Sequence, residues 1–283
     1  MGTSNEVLRT ARQILGLSAD HVERDLRLAP GQLGQIEQGR EPLATEHLDA
    51  LAALYGLDAG DVAAGMDTTA QLRRVQILFK NWRSEVPEKV RSEIARAAAA
   101  RRAVKRLERE LGKPERYDVL RAQFRHEGTY GPPESGWSAG RDLAERLRGH
   151  LGIGLDAPIP SMRDLVAGLG IELVPAALSA AQVAAFSLAD QDHGPAIVIN
   201  LRGANSNPWV RRFVIAHELC HVLHDELTHE DIQQVQYHDE RAGGFAEAGP
   251  EPRANAFAAH LIARPRTCRA RSGTSWSTSG STS

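Results

Sequence analysis

The chain has 283 residues, of which 42% are hydrophobic and 25% are charged, and its formal net charge is −2. This composition is typical of a soluble globular protein, and no apolar run approaches the ~18 residues of a membrane-spanning helix. The N-terminus lacks the basic and apolar segments of a secretory signal, and the 2 cysteines are too few for a disulfide framework. We therefore expect a cytoplasmic protein without membrane contact, long enough for two domains.

Composition and helix-breaking residues divide the chain into five parts. These are an N-terminal helical domain at 1–66, a charged helical connector at 67–128, a loop at 129–139, a C-terminal domain at 140–265 and a tail of disordered composition at 266–283. The charge is uneven as well. Residues 1–66 hold five Arg against ten acids, a net −5, whereas residues 67–127 hold sixteen Lys and Arg against nine acids, a net +7.

The sequence of the N-terminal domain predicts five short helices. They are expected at 6–15, 18–25, 30–38, 45–55 and 59–64. Ser18 and Thr45 are candidate N-caps, and Pro30 suits a first helical turn.

A pattern of mostly apolar residues runs along nearly this whole segment and includes the helix ending Ile36-Glu37-Gln38-Gly39. Its members are Leu8, Ala11, Arg12, Gly16, Leu17, Ser18, Val22, Leu33, Ile36, Glu37, Gly39, Leu48, Leu51, Ala52 and Leu57. The pattern resembles the Xre/Cro-type helix-turn-helix family. The resemblance implies that the helix at 30–38 enters the DNA major groove, with Gln32, Gln35 and Arg40 as candidate DNA-binding residues.

The charge of this domain favours a second interpretation. The predicted recognition helix contains no Lys or Arg, and phosphate contacts normally supply much of the affinity for DNA. A small bundle that mediates dimerisation or protein contact is therefore the alternative to DNA binding, and a homodimer is one expected assembly.

The connector is rich in Ala, Arg, Glu and Leu. Pro87 and Pro114 break it into two long helices and a shorter one. The basic run at 97–106 is compatible with a nucleic-acid contact, but such runs more commonly form a solvated helical face. We interpret the segment as a semi-rigid connector.

The C-terminal domain predicts an α+β fold. Helices are expected at 139–151, 162–168, 209–223 and 251–261, and strands at 171–174, 183–188 and 196–200. Helices, a small sheet and helices again are typical of the α+β class.

The predicted helix at 209–223 contains His217-Glu218-Leu219-Cys220-His221. At about 100° per residue, His217 and His221 lie only ~40° apart, so both imidazoles project from one face, as two zinc ligands require. Glu218 lies ~100° to one side, where it can act as general base without occupying the metal. The alternative is a structural helix whose histidines only form hydrogen bonds in the core. That alternative predicts no matching carboxylate later in the sequence.

Such a carboxylate is present at Glu251, which opens the predicted helix at 251–261. Asn255 lies one turn later, so Glu251 can ligate zinc while Asn255 bonds to a ligand histidine. The predicted centre holds Zn²⁺ by two histidines and one glutamate, with one open position. Glu240 and Glu247 flank Gly243-Gly244 and have no helical partner in register.

Three blocks, at 196–200, 213–221 and 254–259, resemble the ImmA/IrrE family of metallopeptidases, and the resemblance covers about residues 140–265. Members are bacterial, often joined to an Xre-type domain and generally regulatory. The resemblance implies a zincin-like domain, with a small sheet near a thermolysin-like helix pair, that cleaves or controls a repressor protein.

The chain departs from the family pattern in three places. Cys220 stands where the family usually has Gly, and we interpret it as a buried, inert thiol. Arg253 replaces a common acid, which leaves Glu251 as the only carboxylate in register. Members usually continue as folded protein beyond the position that corresponds to residue 265. The tail of this chain is therefore compatible with a truncated domain, and activity would depend on whether the domain is truncated.

Further polar residues lie near the motif in the sequence. His224 shares the His217 face within ~20° on an α-helix and is a candidate for contact around the metal, although a helix-end histidine near Asp225 fits equally well. His229, Tyr237 and His238 lie in the following loop and are candidates for stabilising an oxyanion.

The leading hypothesis is a zinc-dependent endopeptidase with a regulatory role. His217, His221 and Glu251 would hold Zn²⁺, and Glu218 would be the general base. The expected partners are a protein substrate, such as a repressor, and DNA through residues 1–66. The alternative is a DNA-binding transcriptional regulator whose peptidase-like domain is a sensor or interaction module, and a third is an antitoxin-like or scaffold protein.

Overall fold

The computed structural model describes residues 3–66, 68, 72, 86–113, 136–181, 183–188, 194–226 and 250–262. The helices are α1 (Ser4–Leu15), α2 (Ala19–Leu26), α3 (Gln32–Glu37), α4 (Thr45–Tyr55), α5 (Ala59–Ala63), α6 (Glu88–Glu110), α7 (Gly136–His150), α8 (Met162–Gly168), α9 (Pro208–Cys220) and α10 (Pro250–Ile262). The strands are β1 (Glu172–Ala176), β2 (Ala185–Leu188) and β3 (Ala196–Asn200). The predicted α+β class is confirmed. Among the described helices, none has the length and apolarity needed to cross a bilayer.

Helices α1 to α5 form the N-terminal bundle, and the roles predicted for Thr45 and Pro30 at helix starts differ from the structure. Ser18 caps α2 as expected, its hydroxyl oxygen accepting from the amide of His21 at 3.2 Å. Thr45, however, is the first helical residue of α4, and Ala44 occupies the N-cap without a side-chain bond. Pro30 lies in a turn before α3, not in its first turn, because Gly31 adopts a left-handed conformation with φ of 79°.

Two buried glutamates hold α3 in the bundle. The Glu23 carboxylate accepts from the amides of Gly31 at 3.1 Å and Leu33 at 3.0 Å, so a neighbouring helix satisfies the start of α3. Glu37 pairs with Arg12 through two bonds of 2.6 and 2.8 Å, and this pairing raises the pKa of Arg12. The position of α3 is therefore set by polar contacts inside the bundle.

Helix α6 is packed along one face. Val90, Ile94, Ala95 and Ala98 are buried in one core with residues of the bundle and of the sheet. This shared core ties the N-terminal bundle to the C-terminal domain. The rest of the predicted connector, before residue 86 and after residue 113, lies outside the described residues apart from Thr68 and Leu72.

The basic run on α6 is directed at the protein itself. Arg102 donates to the carbonyl of Gly56 at 2.7 Å, and Arg106 lies 3.4 Å from the Asp58 carboxylate. Arg101 is buried and donates to the carbonyl of Gly194. These contacts favour an interdomain role for the run over a nucleic-acid surface.

The sheet has the order β1-β3-β2, with β3 parallel to β1 and antiparallel to β2. Asn200, fully buried at the end of β3, accepts from the amides of Leu178 and Arg202 and donates to the carbonyls of Ala180 and Val183. All its polar capacity is thus used to hold the chain that enters β2. A 3₁₀ turn (Gly203–Ser206) then leads into α9.

Helix α7 begins at Gly136, so residues 136–139 of the predicted loop are helical. It lies along α10. The buried guanidinium of Arg148 donates to the carbonyls of Leu261 at 2.5 Å and Gly154 at 2.7 Å, and also to that of Ala157. Desolvation lowers the pKa of Arg148. This side chain satisfies a carbonyl at the end of α10, where helical carbonyls otherwise lack partners.

Candidate metal centre

Helix α9 carries the histidine motif and is anchored at its start. Asn207 caps it, with Oδ1 accepting from the amide of Trp209 at 2.9 Å, and Pro208 occupies the first turn. Arg212 donates to the carbonyls of Ile159 at 2.5 Å and Pro160 at 3.0 Å. From Val214 onward the helix is buried up to its end at Cys220. The histidines therefore lie on a helix with little freedom to shift.

The two histidines of the motif face each other inside the domain. His217 is 1% exposed and His221 is 0% exposed, and their Nε2 atoms are 3.1 Å apart. Their ring centroids are 4.9 Å apart at an interplanar angle of 67°. The one-turn spacing thus brings two nitrogen ligands to the same point.

Glu251, at the start of α10, completes a cluster of three ligand groups. Its Oε2 lies 3.3 Å from His217 Nε2, and its Oε1 lies 3.7 Å from His221 Nε2. The three ligand atoms all lie within 4.8 Å of one another. Because α9 and α10 are distant in sequence, only their packing creates this arrangement.

Asn255 lies one turn after Glu251 and contacts His217 from behind. Its Oδ1 is 3.0 Å from His217 Nδ1. A carboxamide oxygen can only accept, so this contact favours the tautomer with the proton on Nδ1 and the lone pair on Nε2. That is the tautomer a metal ligand needs.

The donor set of this cluster fits a zinc ion. Zinc binds imidazole nitrogens and carboxylate oxygens, and catalytic zinc sites use three protein ligands of these kinds. Two Nε2 lone pairs and one carboxylate converge here, and Asn255 orients one imidazole.

Glu218 follows His217 on α9 and is 0% exposed. Burying a carboxylate this deeply costs free energy. Carboxylates in such environments are common at catalytic sites, so Glu218 is a candidate catalytic group. Cys220 is also 0% exposed, as expected for a packed thiol.

His224 does not occupy the position expected from an α-helix. Residues His221–Glu226 form a π-helical turn, in which the 100° rotation per residue does not apply. The angle calculated between His217 and His224 for an α-helix therefore does not apply, and contact of the half-buried His224 around the metal stays a prediction. Five residues considered from the sequence lie outside the described residues: His229, Tyr237, His238, Glu240 and Glu247.

The three candidate DNA-binding residues differ in their availability. Gln35 and Arg40 are exposed. Gln32 is engaged within the protein, because its Oε1 accepts from the amide of Ala29 at 3.0 Å and its Nε2 donates to Glu41 Oε1 at 2.7 Å.

Comparison with known families agrees with both resemblances. Residues 6–65 match a family model described as a helix-turn-helix domain, and residues 166–280 match one described as an IrrE N-terminal-like domain. These matches indicate a helix-turn-helix domain followed by an IrrE N-terminal-like, peptidase-like domain. The second match reaches into 266–280 of the predicted tail, which lies outside the described residues. No curated protein and no solved structure matches the chain.

Sequence reasoning missed Arg148 and Gly140, which hold α10. From the sequence alone, Arg148 would be taken for an exposed cation near the end of a helix. Gly140 offered a usable signal, since a glycine inside a helix often marks a close packing contact.

Proposed function

We propose that this protein is a zinc-dependent endopeptidase with a regulatory role, which cleaves or controls a repressor protein. The observation that carries the proposal is the convergence of His217, His221 and Glu251 within 4.8 Å, with Asn255 3.0 Å from the far nitrogen of His217. A core helix with hydrogen-bonded histidines would not need an aligned carboxylate and a carboxamide on a second helix.

The residues have distinct roles in this proposal. Bound by His217, His221 and Glu251, a zinc ion would polarise the scissile carbonyl and acidify a water molecule. Glu218 would accept the proton of the attacking water and deliver it to the leaving amine. Asn255 would hold His217 in the Nδ1-protonated form, which keeps Nε2 available throughout the reaction.

The regulatory part of the proposal rests on domain architecture. A helix-turn-helix domain and a peptidase-like domain share one core through α6. DNA binding by the exposed Gln35 and Arg40 is one use of the bundle, and protein contact by its acidic surface is the other.

The second candidate function is a DNA-binding regulator whose peptidase-like domain acts as a sensor. The packing favours it, because the metal centre lies in a second core on the other face of the sheet that packs against the bundle, so occupancy of the centre could reach the bundle through the sheet. The two candidates differ in whether a peptide bond is cleaved.

Metal analysis of the purified full chain, combined with a fluorogenic peptide mixture, tests the proposal. We expect about one zinc per chain in the wild type, loss of zinc in His217→Ala and His221→Ala, and full zinc without cleavage in Glu218→Gln. Circular dichroism checks that each variant is folded. Stoichiometric zinc in both histidine variants would reject the metal centre, and a zinc-loaded wild type that cleaves neither peptides nor a candidate repressor favours the sensor.

A further inference from the structure

Helix α10 carries one side of the candidate metal centre and takes its position from α7. Glu251 and Asn255 both lie on α10, whereas the two histidines lie on α9. The distances of 3.3 and 3.7 Å between Glu251 and the histidines therefore depend on where α10 is held. Two contacts from α7 hold it.

The first contact is a close approach at Gly140. A Cβ atom at this position would overlap the carbonyl oxygen of Arg253 and would lie 2.8 Å from the amide nitrogen of Phe257 and 2.9 Å from the Cβ of Ala256. Two of these obstacles are backbone atoms, which cannot rotate away as a flexible side chain can. Any side chain at residue 140 must therefore push the two helices apart.

The contact lies at the turn that carries the site. The atoms that approach Gly140 belong to 253–257, the same turn of α10 that includes Asn255 and follows Glu251. The second contact, from Arg148 to the carbonyl of Leu261, fixes the far end of α10. Held at both points by α7 and packed directly against α9, α10 has a defined position relative to the two histidines.

We propose that Gly140 is a positioning residue for the metal centre, and that its missing side chain allows α10 to bring Glu251 and Asn255 into register with His217 and His221. The inference rests on the proposed zinc site. Zinc–oxygen bonds are about 2.0–2.2 Å long, so a helix displacement of even ~1 Å is large relative to the tolerance of the ligand set.

Gly140→Ala and Gly149→Ala form a matched pair that tests this. Both glycines lie on α7, and a Cβ at Gly149 would meet no atom within 4 Å. Both substitutions should raise helix propensity, by about 1 kcal/mol inside the helix at residue 140 and by less at residue 149 near its end. We expect Gly140→Ala to weaken zinc binding by about tenfold or more, in the range seen when ligand orientation is lost, and Gly149→Ala to leave it within about twofold.

Zinc affinity is measured on the full chain by competition with a chromophoric chelator. The visible spectrum of the Co²⁺-loaded protein provides a readout that a purely structural role would not move. We expect this spectrum to change in Gly140→Ala, in the direction of the Glu251→Ala spectrum, and to be unchanged in Gly149→Ala. Unchanged zinc affinity and an unchanged Co²⁺ spectrum in a folded Gly140→Ala variant would overturn the proposal.

A milder variant covers the case in which Gly140→Ala does not fold. Ala256→Ser adds a single atom to the same contact from the α10 side, and we expect a smaller loss of zinc affinity in it. Wild-type affinity in Ala256→Ser would then overturn the proposal. Failure of the wild type itself to bind zinc or Co²⁺ is a different result, because it rejects the proposed zinc site rather than the role of Gly140.

Discussion

At the scale of single residues, the candidate centre depends on which nitrogen of His217 carries a proton. The 3.0 Å contact with Asn255 Oδ1 favours the proton on Nδ1, which would leave Nε2 for the metal. Glu251 supplies the only anionic ligand of the cluster found in the described part of the chain. Glu251 would bind the metal itself, whereas Asn255 would act indirectly, by orienting the ligand His217.

Glu251→Ala should therefore weaken zinc affinity more than Asn255→Ala. We expect a loss of an order of magnitude or more for Glu251→Ala, because two neutral imidazoles lack the anionic contact, and a smaller loss for Asn255→Ala, which only loosens His217. Competitive zinc titration measures both, with Glu240→Ala and Glu247→Ala as comparison variants. Wild-type affinity in Glu251→Ala, together with metal loss in either comparison variant, would contradict the assignment.

At the scale of elements, α3 is a short helix whose contacts are largely used inside the bundle. Glu23 caps its start, and Gln32 bonds to Ala29 and Glu41. Only Gln35 and Arg40 among the candidate DNA-binding residues are exposed. With a net charge of −5 over residues 1–66, the domain has few means of attracting phosphate.

Gln35→Ala and Gln32→Ala should separate recognition from stability. On a duplex selected by the full chain, we expect Gln35→Ala to lose about 1–3 kcal/mol of discrimination at one base pair, as for a lost amide contact to a base. Gln32→Ala should keep the base preference and lower the melting temperature, since it removes two internal bonds. Fluorescence anisotropy and thermal unfolding measure these effects. A changed base preference in Gln32→Ala would show that Gln32 leaves its internal bonds to read DNA.

At the scale of the whole molecule, α6 makes the two domains one packed unit. It contributes buried residues to the core shared by bundle and sheet, and its polar side chains reach both sides. Arg102 bonds to Gly56 of the bundle, while Glu93 accepts from the amide of Ser179 at 2.7 Å in the C-terminal domain. We therefore expect the bundle and the C-terminal domain to unfold together.

Gly56→Ala and Gly39→Ala should measure the strength of this docking. Both glycines have φ of +68°, so both alanine variants carry a similar backbone strain of about 1–2 kcal/mol. Only at Gly56 would the added Cβ overlap the Ala95 carbonyl of α6, whereas at Gly39 nothing lies within 4 Å. We expect Gly56→Ala to cost about 1–3 kcal/mol more in the free energy of unfolding, measured in urea. Equal losses of unfolding free energy in the two variants would show that α6 moves away from residue 56 without an energetic penalty.

Local periodicity accounts for what could be predicted about the fold and the site. The spacing of His217 and His221 follows from the helical repeat, and so does the one-turn separation of Glu251 and Asn255. Helices α8 and α4 and strand β3 have the predicted bounds, because apolar patterns and glycine ends mark them. Periodicity could not place His224, because a π-helical turn at His221–Glu226 changes the rotation per residue.

The sequence by itself determined the class of fold, both family resemblances and the residue types that can hold a metal, since each depends on neighbours within a few turns of chain. The tertiary structure alone decided how α10 meets α9, that Gln32 is engaged internally and that α6 is packed between domains. It also decided that Gly140 and Arg148 hold α10. These are contacts between segments far apart in sequence, and their geometry depends on how side chains of many elements pack at once.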